Sequence, residues 1–345
     1  MTPAEEPVLK DVVLVGGGHS HVTVLKKFGM DPMPGVRLTL ISRDAYAPYS
    51  GMLPGLIAGH YTFEETNIDL GPLARFAKAR FLHDEVVGVD TSNRAVLCRE
   101  HPPVTFDVLS INIGSTPGLR VPGAKGTVVP VKPIDGFWPK WEVLRDRCLQ
   151  RRNETHIGVV GGGAGGVELL LSVQYSLDRL LERQGRSSSH LHFHLATSGD
   201  EILTTHNSRV RAKFCRVLQE RGVEVMTNSK VAAIEGSGCR LAFEKGGGLD
   251  LDEVLWVTTA RAASWPEESG FDVDDRGFIR VRDTLQTMTD ADVFAAGDIA
   301  TVIDHPRPKA GVFAVRQGPP LTENIRLRLL GEAATPFHPP EKFLS

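Results

Sequence analysis

The sequence predicts an α/β protein with two Rossmann-like dinucleotide-binding domains, the second inserted in the first. An apolar strand that ends in three glycines, residues 11–18, recurs at 157–163, so that Gly16 and Gly161 lie 145 residues apart. Two later apolar segments recur at the same spacing: 86–90 at 231–235, and 107–114 at 252–259. Three matching pairs in the same order indicate a duplicated structural unit.

Each half follows the same order of elements. A strand, a glycine turn and a helix come first, and a second strand, a set of short strands and a last apolar strand follow. Apolar residues after Gly18 and after Gly166 recur near the helical period and predict the two helices. The second strands, 36–42 and 191–197, are offset by 155 residues because a polar loop at 183–189 is inserted.

Four prolines mark the passage between the halves and favour an extended crossover there: Pro117, Pro122, Pro130 and Pro133. We therefore predict an FAD-binding domain in two parts, 1–121 and 272–332, and an NAD(P)H-binding domain at 122–271. Residues 333–345 are interpreted as the start of a truncated C-terminal segment.

Composition excludes several classes of protein. The chain has 345 residues, 41% of them hydrophobic and 23% charged, with a formal net charge of -3. It has no dense basic run, so nucleic acid is not an expected partner. Its four cysteines form no C-x-x-C pair, and no run of about 18 apolar residues predicts a transmembrane helix. The first residues do not resemble a signal peptide. We expect a cytoplasmic protein, and peripheral membrane contact stays open.

The glycine turns predict dinucleotide binding. Glycines between a strand and a helix let the backbone approach a pyrophosphate at the positive end of the helix dipole. Gly161, Gly163 and Gly166 complete the pattern G-x-G-x-x-G. The first turn has Gly16, Gly17 and Gly18 but His21 in the third place. We expect that histidine to weaken the close packing of helix on strand.

The acidic residue that usually binds the ribose at the end of the second strand is missing from both halves. Ser42, followed by Arg43, stands there in the first half, and Thr197 in the second. A hydroxyl can still bind a ribose, so these residues remain candidate cofactor contacts. The choice between NADH and NADPH is left open.

These motifs resemble, in order and over residues 11 to about 332, the pyridine nucleotide-disulfide oxidoreductase superfamily, and within it type II NADH dehydrogenase-like proteins. The resemblance implies bound FAD and NAD(P)H. It places the FAD pyrophosphate at a turn that continues from Gly16 through His19 and Ser20. It also implies FAD contacts from the backbone of Val86, from Gly114, and from Gly297 with Asp298.

More narrowly, the segments 16–21 and 49–59 resemble the flavoprotein domain found fused in front of selenide, water dikinase. The wider resemblance to the superfamily places the carboxylate of Glu168 near the nicotinamide, and the resemblance to its quinone-reducing members places Gln317 beside the acceptor pocket, so both are catalytic candidates. Pro48 and Tyr49 are candidates for a wall of the flavin site. No cysteine lies about 30 residues beyond the first glycine turn, where disulfide reductases carry a pair, so disulfide chemistry is not expected.

Two hypotheses follow. In the first, the protein transfers hydride from NAD(P)H through non-covalent FAD to a quinone-like or other small two-electron acceptor. In the second, it is a flavin-binding regulatory or partner domain linked to selenium metabolism and to selenide, water dikinase, with weak or lost use of NAD(P)H. A homodimer is left open. The alternating His190, His192 and His194 lack a carboxylate or cysteine to complete a metal site, so no metal is predicted.

Overall fold

The computed structural model describes residues 7–119, 121–236, 239–258 and 260–339. The expectations for the first six residues and for the last six, 340–345, therefore lie outside the described residues. The chain forms two compact units. The first unit holds residues 1–49, 67–116 and 261–345, and the second holds 50–66 and 117–260.

The helices of the described chain are α1 (His19–Met30), α2 (Leu53–Ile57), α3 (Phe63–Thr66), α4 (Leu70–Phe76), α5 (Phe137–Gln150), α6 (Ala164–Arg183), α7 (Ser208–Glu220), α8 (Trp265–Glu268) and α9 (Gly311–Leu330). The strands are β1 (Lys10–Val15), β2 (Val36–Ser42), β3 (Tyr46–Pro48), β4 (Asn67–Asp69), β5 (Arg80–His83), β6 (Val86–Asp90), β7 (Ala95–Cys98), β8 (Val104–Thr105), β9 (Val108–Ile111), β10 (Thr116–Pro117), β11 (Val129–Pro130), β12 (Thr155–Val160), β13 (Leu191–Ala196), β14 (Glu224–Met226), β15 (Val231–Glu235), β16 (Cys239–Phe243), β17 (Gly248–Leu251), β18 (Glu253–Trp256), β19 (Ala260–Arg261), β20 (Ile279–Val281), β21 (Val293–Ala295) and β22 (Ala300–Val302). One-turn 3₁₀ helices lie at Ser50–Met52, Ile134–Gly136 and Gly297–Ile299.

A five-stranded parallel sheet forms the centre of the first unit, in the order β21-β9-β1-β2-β5. Its strands are short apolar runs, as expected for a parallel sheet that is covered on both faces. Residues 12–15 of β1 are at most 1% exposed. α1 returns the chain from β1 to β2 and packs against α9. The carboxyl ends of β1, β9 and β21 therefore lie side by side, where the glycine turn, Gly114 and Gly297 follow.

The second unit repeats this plan. Its parallel sheet has the order β11-β18-β12-β13-β14, with β12 and β13 in the positions of β1 and β2. Each unit also carries a three-stranded antiparallel sheet, β6-β7-β8 in the first and β15-β16-β17 in the second. The predicted α/β fold with two Rossmann-like units, one inserted in the other, is confirmed.

A short excursion of the chain, residues 50–66, belongs to the second unit although the first unit surrounds it in sequence. Leu53, Leu56 and Ile57 of α2 are buried in the core that contains Trp141 of α5 and Leu170 of α6. The two units otherwise divide after residues 116 and 260. The sequence instead places residues 50–66 in the FAD-binding domain and ends its first part at residue 121 and the NAD(P)H-binding domain at residue 271. These boundaries of the cofactor-binding domains stay a prediction.

Candidate dinucleotide-binding sites

The first glycine turn follows β1 in a conformation that favours glycine. Gly16 has a φ of +90° and donates its backbone N–H to the Ile41 carbonyl at 2.7 Å. A Cβ on Gly16 would lie 2.5 Å from the Asn112 carbonyl oxygen, and a Cβ on Gly18 would strike the Asn112 side chain. Gly17 is crowded in the same way by Leu70. Gly16 and Gly18 are therefore required by the packing of the first unit, since both would meet the Asn112 backbone, whereas at Gly17 the movable end of the Leu70 side chain is the obstacle.

Both helices that follow the turns start without a side-chain cap. Gly18 precedes α1 and Gly163 precedes α6, and neither helix has an acidic residue in its first turn. The N–H groups at the start of a helix have no partner within the helix. Uncapped N–H groups and the positive end of the dipole together suit a pyrophosphate. The residues present therefore fit a dinucleotide at each turn.

His21 takes the place of the third glycine in the first turn, and it is fully buried. Its Nδ1 donates to the Gly16 carbonyl at 2.6 Å, and its Nε2 accepts from the Ser110 hydroxyl at 2.8 Å. In the second turn, a Cβ on the equivalent Gly166 would strike the Gly161 carbonyl. The imidazole thus ties α1 to the turn and to β9, where a weakened contact was expected. Burial lowers its pKa to about 4, against the opposing effect of the bond to Gly16.

The two glycine turns differ at one position. A Cβ on Gly163 of the second turn would meet open space, whereas a Cβ on the equivalent Gly18 would strike Asn112. Gly161 has a φ of +136° and donates to the Ala196 carbonyl at 2.9 Å. A Cβ on Gly162 would lie 2.6 Å from the Thr197 hydroxyl, whereas a Cβ on Gly163 would meet no atom within 4 Å. The described protein therefore does not need a glycine at Gly163 for its own packing, and approach of a ligand would explain it.

The polar residues at the ends of β2 and β13 have different surroundings. The Ser42 hydroxyl donates to the Asp44 carbonyl at 2.8 Å, and the Arg43 guanidinium pairs with the Asp44 carboxylate at 3.0 Å. These groups of the first unit are thus already engaged locally. Thr197 follows β13 and is 8% exposed beside Gly162. It lies next to the second turn, as the sequence predicts.

Gly297 and Asp298, the predicted FAD contacts that follow β21 and are here called the closing motif, are held by three side chains. Gly297, with a φ of +72°, donates its N–H to Gln317 Oε1 at 2.6 Å. The Ser115 hydroxyl donates to Asp298 Oδ2 at 2.8 Å. Asn112 Nδ2 donates to the Ala296 carbonyl at 2.6 Å, and its buried Oδ1 has no partner. Asn112 therefore joins the first glycine turn to the closing motif within one unit.

Gln317 has a positioning role in this geometry, because its carbonyl oxygen is used by Gly297. Its catalytic role stays a prediction. The other cofactor candidates of the first unit have different environments. The His19 ring lies 5.1 Å from the Tyr49 ring, and burial lowers the pKa of His19. Ser20 is buried and donates its hydroxyl to the Ala314 carbonyl at 2.7 Å, so only its backbone is free to bind a cofactor.

Three further candidates keep positions compatible with their predicted roles. Val86 begins β6, Pro48 ends β3 directly before Tyr49, and Gly114 has a φ of +72° with open space at its Cβ position. None of these positions contradicts a contact with FAD, and each contact stays a prediction.

Glu168 lies in the second turn of α6, beyond the dipole-capping first turn, because the helix begins at Ala164. Its side chain is exposed, but partial loss of water raises its pKa, while the nearby His206 opposes that shift. A carboxylate at this place is not needed to cap the helix. This favours the functional interpretation of Glu168.

Two of the alternating histidines, His192 and His194, belong with His156 to a cluster of polar contacts, whereas His190 Nε2 is buried without a hydrogen-bond partner. His156 Nδ1 lies 3.0 Å from His194 Nε2, His194 Nδ1 lies 3.0 Å from Glu224, and His192 pairs with Glu154. Within the part of the chain that the structure describes, no group of histidine, cysteine or acidic side chains could hold a metal ion. The sequence missed the two carboxylates of this cluster because they come from separate places in the chain.

Two glycine turns, each at the end of a parallel strand and before an uncapped helix, fit two dinucleotides, and Gly297 with Asp298 is predicted to contact the first of them. This combination defines an FAD- and NAD(P)H-dependent oxidoreductase. The chain belongs to the pyridine nucleotide-disulphide oxidoreductase family, whose model matches residues 10–318. Among the described residues, no helix is both long enough and apolar enough to cross a membrane.

The chain is similar in sequence to known enzymes and in fold to solved structures. The type II NADH:quinone oxidoreductase of Staphylococcus haemolyticus is 21% identical over 342 residues, which cover 95% of this chain and 85% of that protein. The sulfide:quinone oxidoreductase structure from Aquifex aeolicus has a TM-score of 0.74 at 18% identity, with 93% of this chain and 77% of that chain covered. A NAD-dependent persulfide reductase from A. fulgidus has a TM-score of 0.77 at 19% identity. That match covers 95% of this chain but 60% of the reductase.

The Asp298→Ala variant is expected to bind FAD about five- to 150-fold more weakly than the unchanged protein, since a carboxylate hydrogen bond of about 1–3 kcal/mol is lost. Fluorescence titration of the FAD-free protein with FAD measures the change. Asp304→Ala, which removes an exposed carboxylate of the same unit, is the matched control. Equal FAD affinity in both variants would contradict the role given to Asp298.

Proposed function

We propose that this protein transfers hydride from NAD(P)H, through non-covalently bound FAD, to a quinone-like or other two-electron acceptor, without a redox disulfide. The observation that carries the proposal is the pair of uncapped helix starts at Gly18 and Gly163, each at the carboxyl end of a parallel sheet. When bound, FAD accepts the hydride and passes on two electrons. The likeness to NADH:quinone oxidoreductase supports a quinone-like acceptor.

Protein side chains have positioning roles in this proposal. The backbone N–H groups of the two turns would hold the pyrophosphates, and Ser115 holds the Asp298 carboxylate, which would bind the ribityl chain of FAD. Gln317 keeps the Gly297 turn in place. Glu168 has a raised pKa and stands near the second turn, where we assign it to the nicotinamide.

The cysteines support a route without a thiol. Cys148 is fully buried, and burial, together with the charge of Glu253, raises its pKa to about 12. Burial also raises the pKa of Cys98 and of Cys239. A thiolate is the reactive form, so these three thiols are poor nucleophiles. Cys215 is exposed on α7 of the second unit. All four cysteines are free thiols in this structure.

The alternative is a flavin-binding regulatory or partner domain linked to selenium metabolism and to selenide, water dikinase. Thr197, which is neutral where an acid usually binds the ribose, favours it, and so does the resemblance of residues 49–59. Anaerobic titration with NADH and NADPH separates the two. Bleaching of the flavin absorbance by either nucleotide supports the oxidoreductase, and a flavin that stays oxidised with both supports the partner domain.

A variant with all four cysteines changed to serine is expected to keep NAD(P)H-driven dye or quinone reduction within a few-fold of the unchanged protein. No thiol relay is needed, and the loss should be limited to a modest fall in stability from the buried Cys148. Steady-state rates, normalised to bound FAD, test this. If activity disappears while FAD stays bound, a cysteine is catalytic and the proposed route is wrong.

A further inference from the structure

The imidazole of His19, the first residue of α1, is not used by the protein. The Thr23 hydroxyl donates to the backbone carbonyl of His19 at 3.3 Å, but neither ring nitrogen has a hydrogen-bond partner among the described residues. The side chain is half-buried, yet neither nitrogen is sealed inside the protein. Both nitrogens are therefore available to a ligand at the first glycine turn.

The ring of Tyr49 fixes the direction of this imidazole. The two ring centres lie 5.1 Å apart, and the ring planes are inclined by 55°. A tilted pair at this separation is favourable, because the edge of one ring meets the face of the other. Tyr49 follows Pro48 at the end of β3 and is a candidate wall of the flavin site. The imidazole therefore reaches from the turn predicted to hold the FAD pyrophosphate toward the predicted flavin wall.

No charged side chain of the described residues pairs with His19. The elements around the start of α1 contribute five charged groups, none of which forms a hydrogen bond or an ion pair with His19: Arg43, Asp44, Asp69, Asp298 and Arg316. Arg43 and Asp44 pair with each other at 3.0 Å. His21, the other ionisable residue of the turn, uses both ring nitrogens within the protein. Within residues 16–21, His19 is therefore the one ionisable side chain that is free to respond to a ligand.

Without a ligand, the surroundings of His19 favour the neutral imidazole. Burial lowers the pKa of His19 below its ordinary value of 6.5. The positive end of the α1 dipole also opposes a positive charge at the first helical residue. A bound diphosphate would reverse this balance, because a nearby opposite charge favours the charged form and shifts a pKa by about 1–3. A protonated imidazole has two N–H donors and no acceptor, which matches a diphosphate, whose oxygens only accept.

We propose that the protonated imidazole of His19 binds the diphosphate of FAD, so that the protein takes up a proton together with its cofactor. The proton comes from the solvent and returns to it when FAD leaves, and no other bond changes. The backbone N–H groups of the turn supply partial charges, whereas His19 would supply a full positive charge. The inference rests on the predicted position of FAD at the first turn and is independent of the electron acceptor.

Calorimetric titration of the full chain with FAD, after removal of the bound cofactor, tests the proton uptake. Titrations in phosphate and in Tris, which differ in their heat of ionisation, give the number of protons taken up, and we expect more than about half a proton per FAD near pH 7. Since the pKa is higher in the complex, FAD should bind about tenfold more tightly at pH 6.5 than at pH 8.5. His21 stays neutral over this range, because its pKa is about 4.

Two substitutions separate the charge from the ring. His19→Gln, which cannot take up a proton, should lose the proton uptake, bind FAD within a few-fold of the unchanged protein at pH 8.5 and about tenfold more weakly at pH 6.5. His19→Arg, which is always charged, should bind FAD with nearly the same affinity at both pH values and without proton uptake. His60→Gln, at an exposed histidine, is the control and should behave like the unchanged protein. Release of FAD after dilution of the loaded protein should follow the same pattern and be fastest where binding is weakest.

Two results would overturn the role of His19: equal FAD affinity of the unchanged protein at pH 6.5 and pH 8.5, or proton uptake that persists in His19→Gln. Weak binding by His19→Arg at both pH values would overturn it as well, since the ring beside Tyr49 would then matter more than the charge. The position of FAD is tested separately by Asp298→Ala. If that variant binds FAD as tightly as the unchanged protein, FAD does not lie at the first turn; if it binds FAD weakly while one of these results occurs, only the role of His19 is wrong. Bleaching of the flavin by NAD(P)H tests the oxidoreductase proposal independently of both.

Discussion

Gly163→Ala and Gly166→Ala are expected to separate the two uses of glycine in the second turn. At Gly166 a Cβ would strike the Gly161 carbonyl, so the alanine should destabilise the second unit by about 1–3 kcal/mol. At Gly163 a Cβ meets open space at an ordinary φ of -76°, so stability should change by about 0.5 kcal/mol or less. The methyl group at Gly163 should still weaken NAD(P)H binding about tenfold or more, because the backbone there approaches the pyrophosphate.

Urea unfolding and NADH titration of both variants make the comparison. The control must be a glycine whose replacement by alanine strains nothing. Gly185 does not qualify, because its φ of +68° would strain an alanine. Gly136, which also faces open space, is a better one. Unchanged nucleotide affinity in a stable Gly163→Ala protein would place the NAD(P)H pyrophosphate elsewhere.

Acid is expected to destabilise the first unit through His21. The pKa of His21 is about 4 in the folded protein, below its ordinary value of 6.5, so the unfolded chain binds the proton first as the pH falls. The stabilisation by the neutral imidazole is complete above pH 6.5 and is lost as the pH falls toward 4. The total loss is about 3 kcal/mol, with about 2 kcal/mol of it reached at pH 5.

The free energy of unfolding, measured in urea at pH 7 and at pH 5, tests this expectation. His21→Gln should be less stable at pH 7, because its amide fits the contacts with Gly16 and Ser110 less well, but it should lose less stability on acidification. Burial also lowers the pKa of His19 and of His194, so a general acid sensitivity remains in both proteins. His60→Gln, at an exposed histidine, is the control. Identical pH dependence in all three proteins would contradict the assignment to His21.

Local pattern was sufficient to predict the duplicated fold. Parallel strands are short apolar runs, and a turn that needs a positive φ selects glycine, so both features can be read from neighbouring residues. That is why β1 with Gly16, and β12 with Gly161, could be located from sequence. The order of the strands in each sheet then follows from the common plan.

The side chains that support the site were harder to predict from the sequence. Ser115 and Asp298 are 183 positions apart, and Asn112 reaches the Ala296 carbonyl from a different strand. The contact of Asn112 is made only in the folded unit, so the sequence around Gly114 does not reveal it. The sequence predicts a weakened packing of α1 at His21, because the hydrogen-bond partner of His21, Ser110, lies on β9 and is distant in sequence. Long-range hydrogen bonds of this kind leave no periodic signal.

The excursion at residues 50–66 has an evolutionary consequence. The chain passes between the units after residues 49, 66, 116 and 260, so neither unit is one uninterrupted stretch of gene. Without the second unit, Leu53, Leu56 and Ile57 would lose the core that buries them. A lineage that stopped using nicotinamide would keep this core for its packing, and in the second turn it would lose Gly163 more readily than Gly166, whose Cβ would strike the Gly161 carbonyl. Selection for stable packing preserves this core and Gly166, whereas Gly163, which faces open space, is preserved only by selection for the nucleotide.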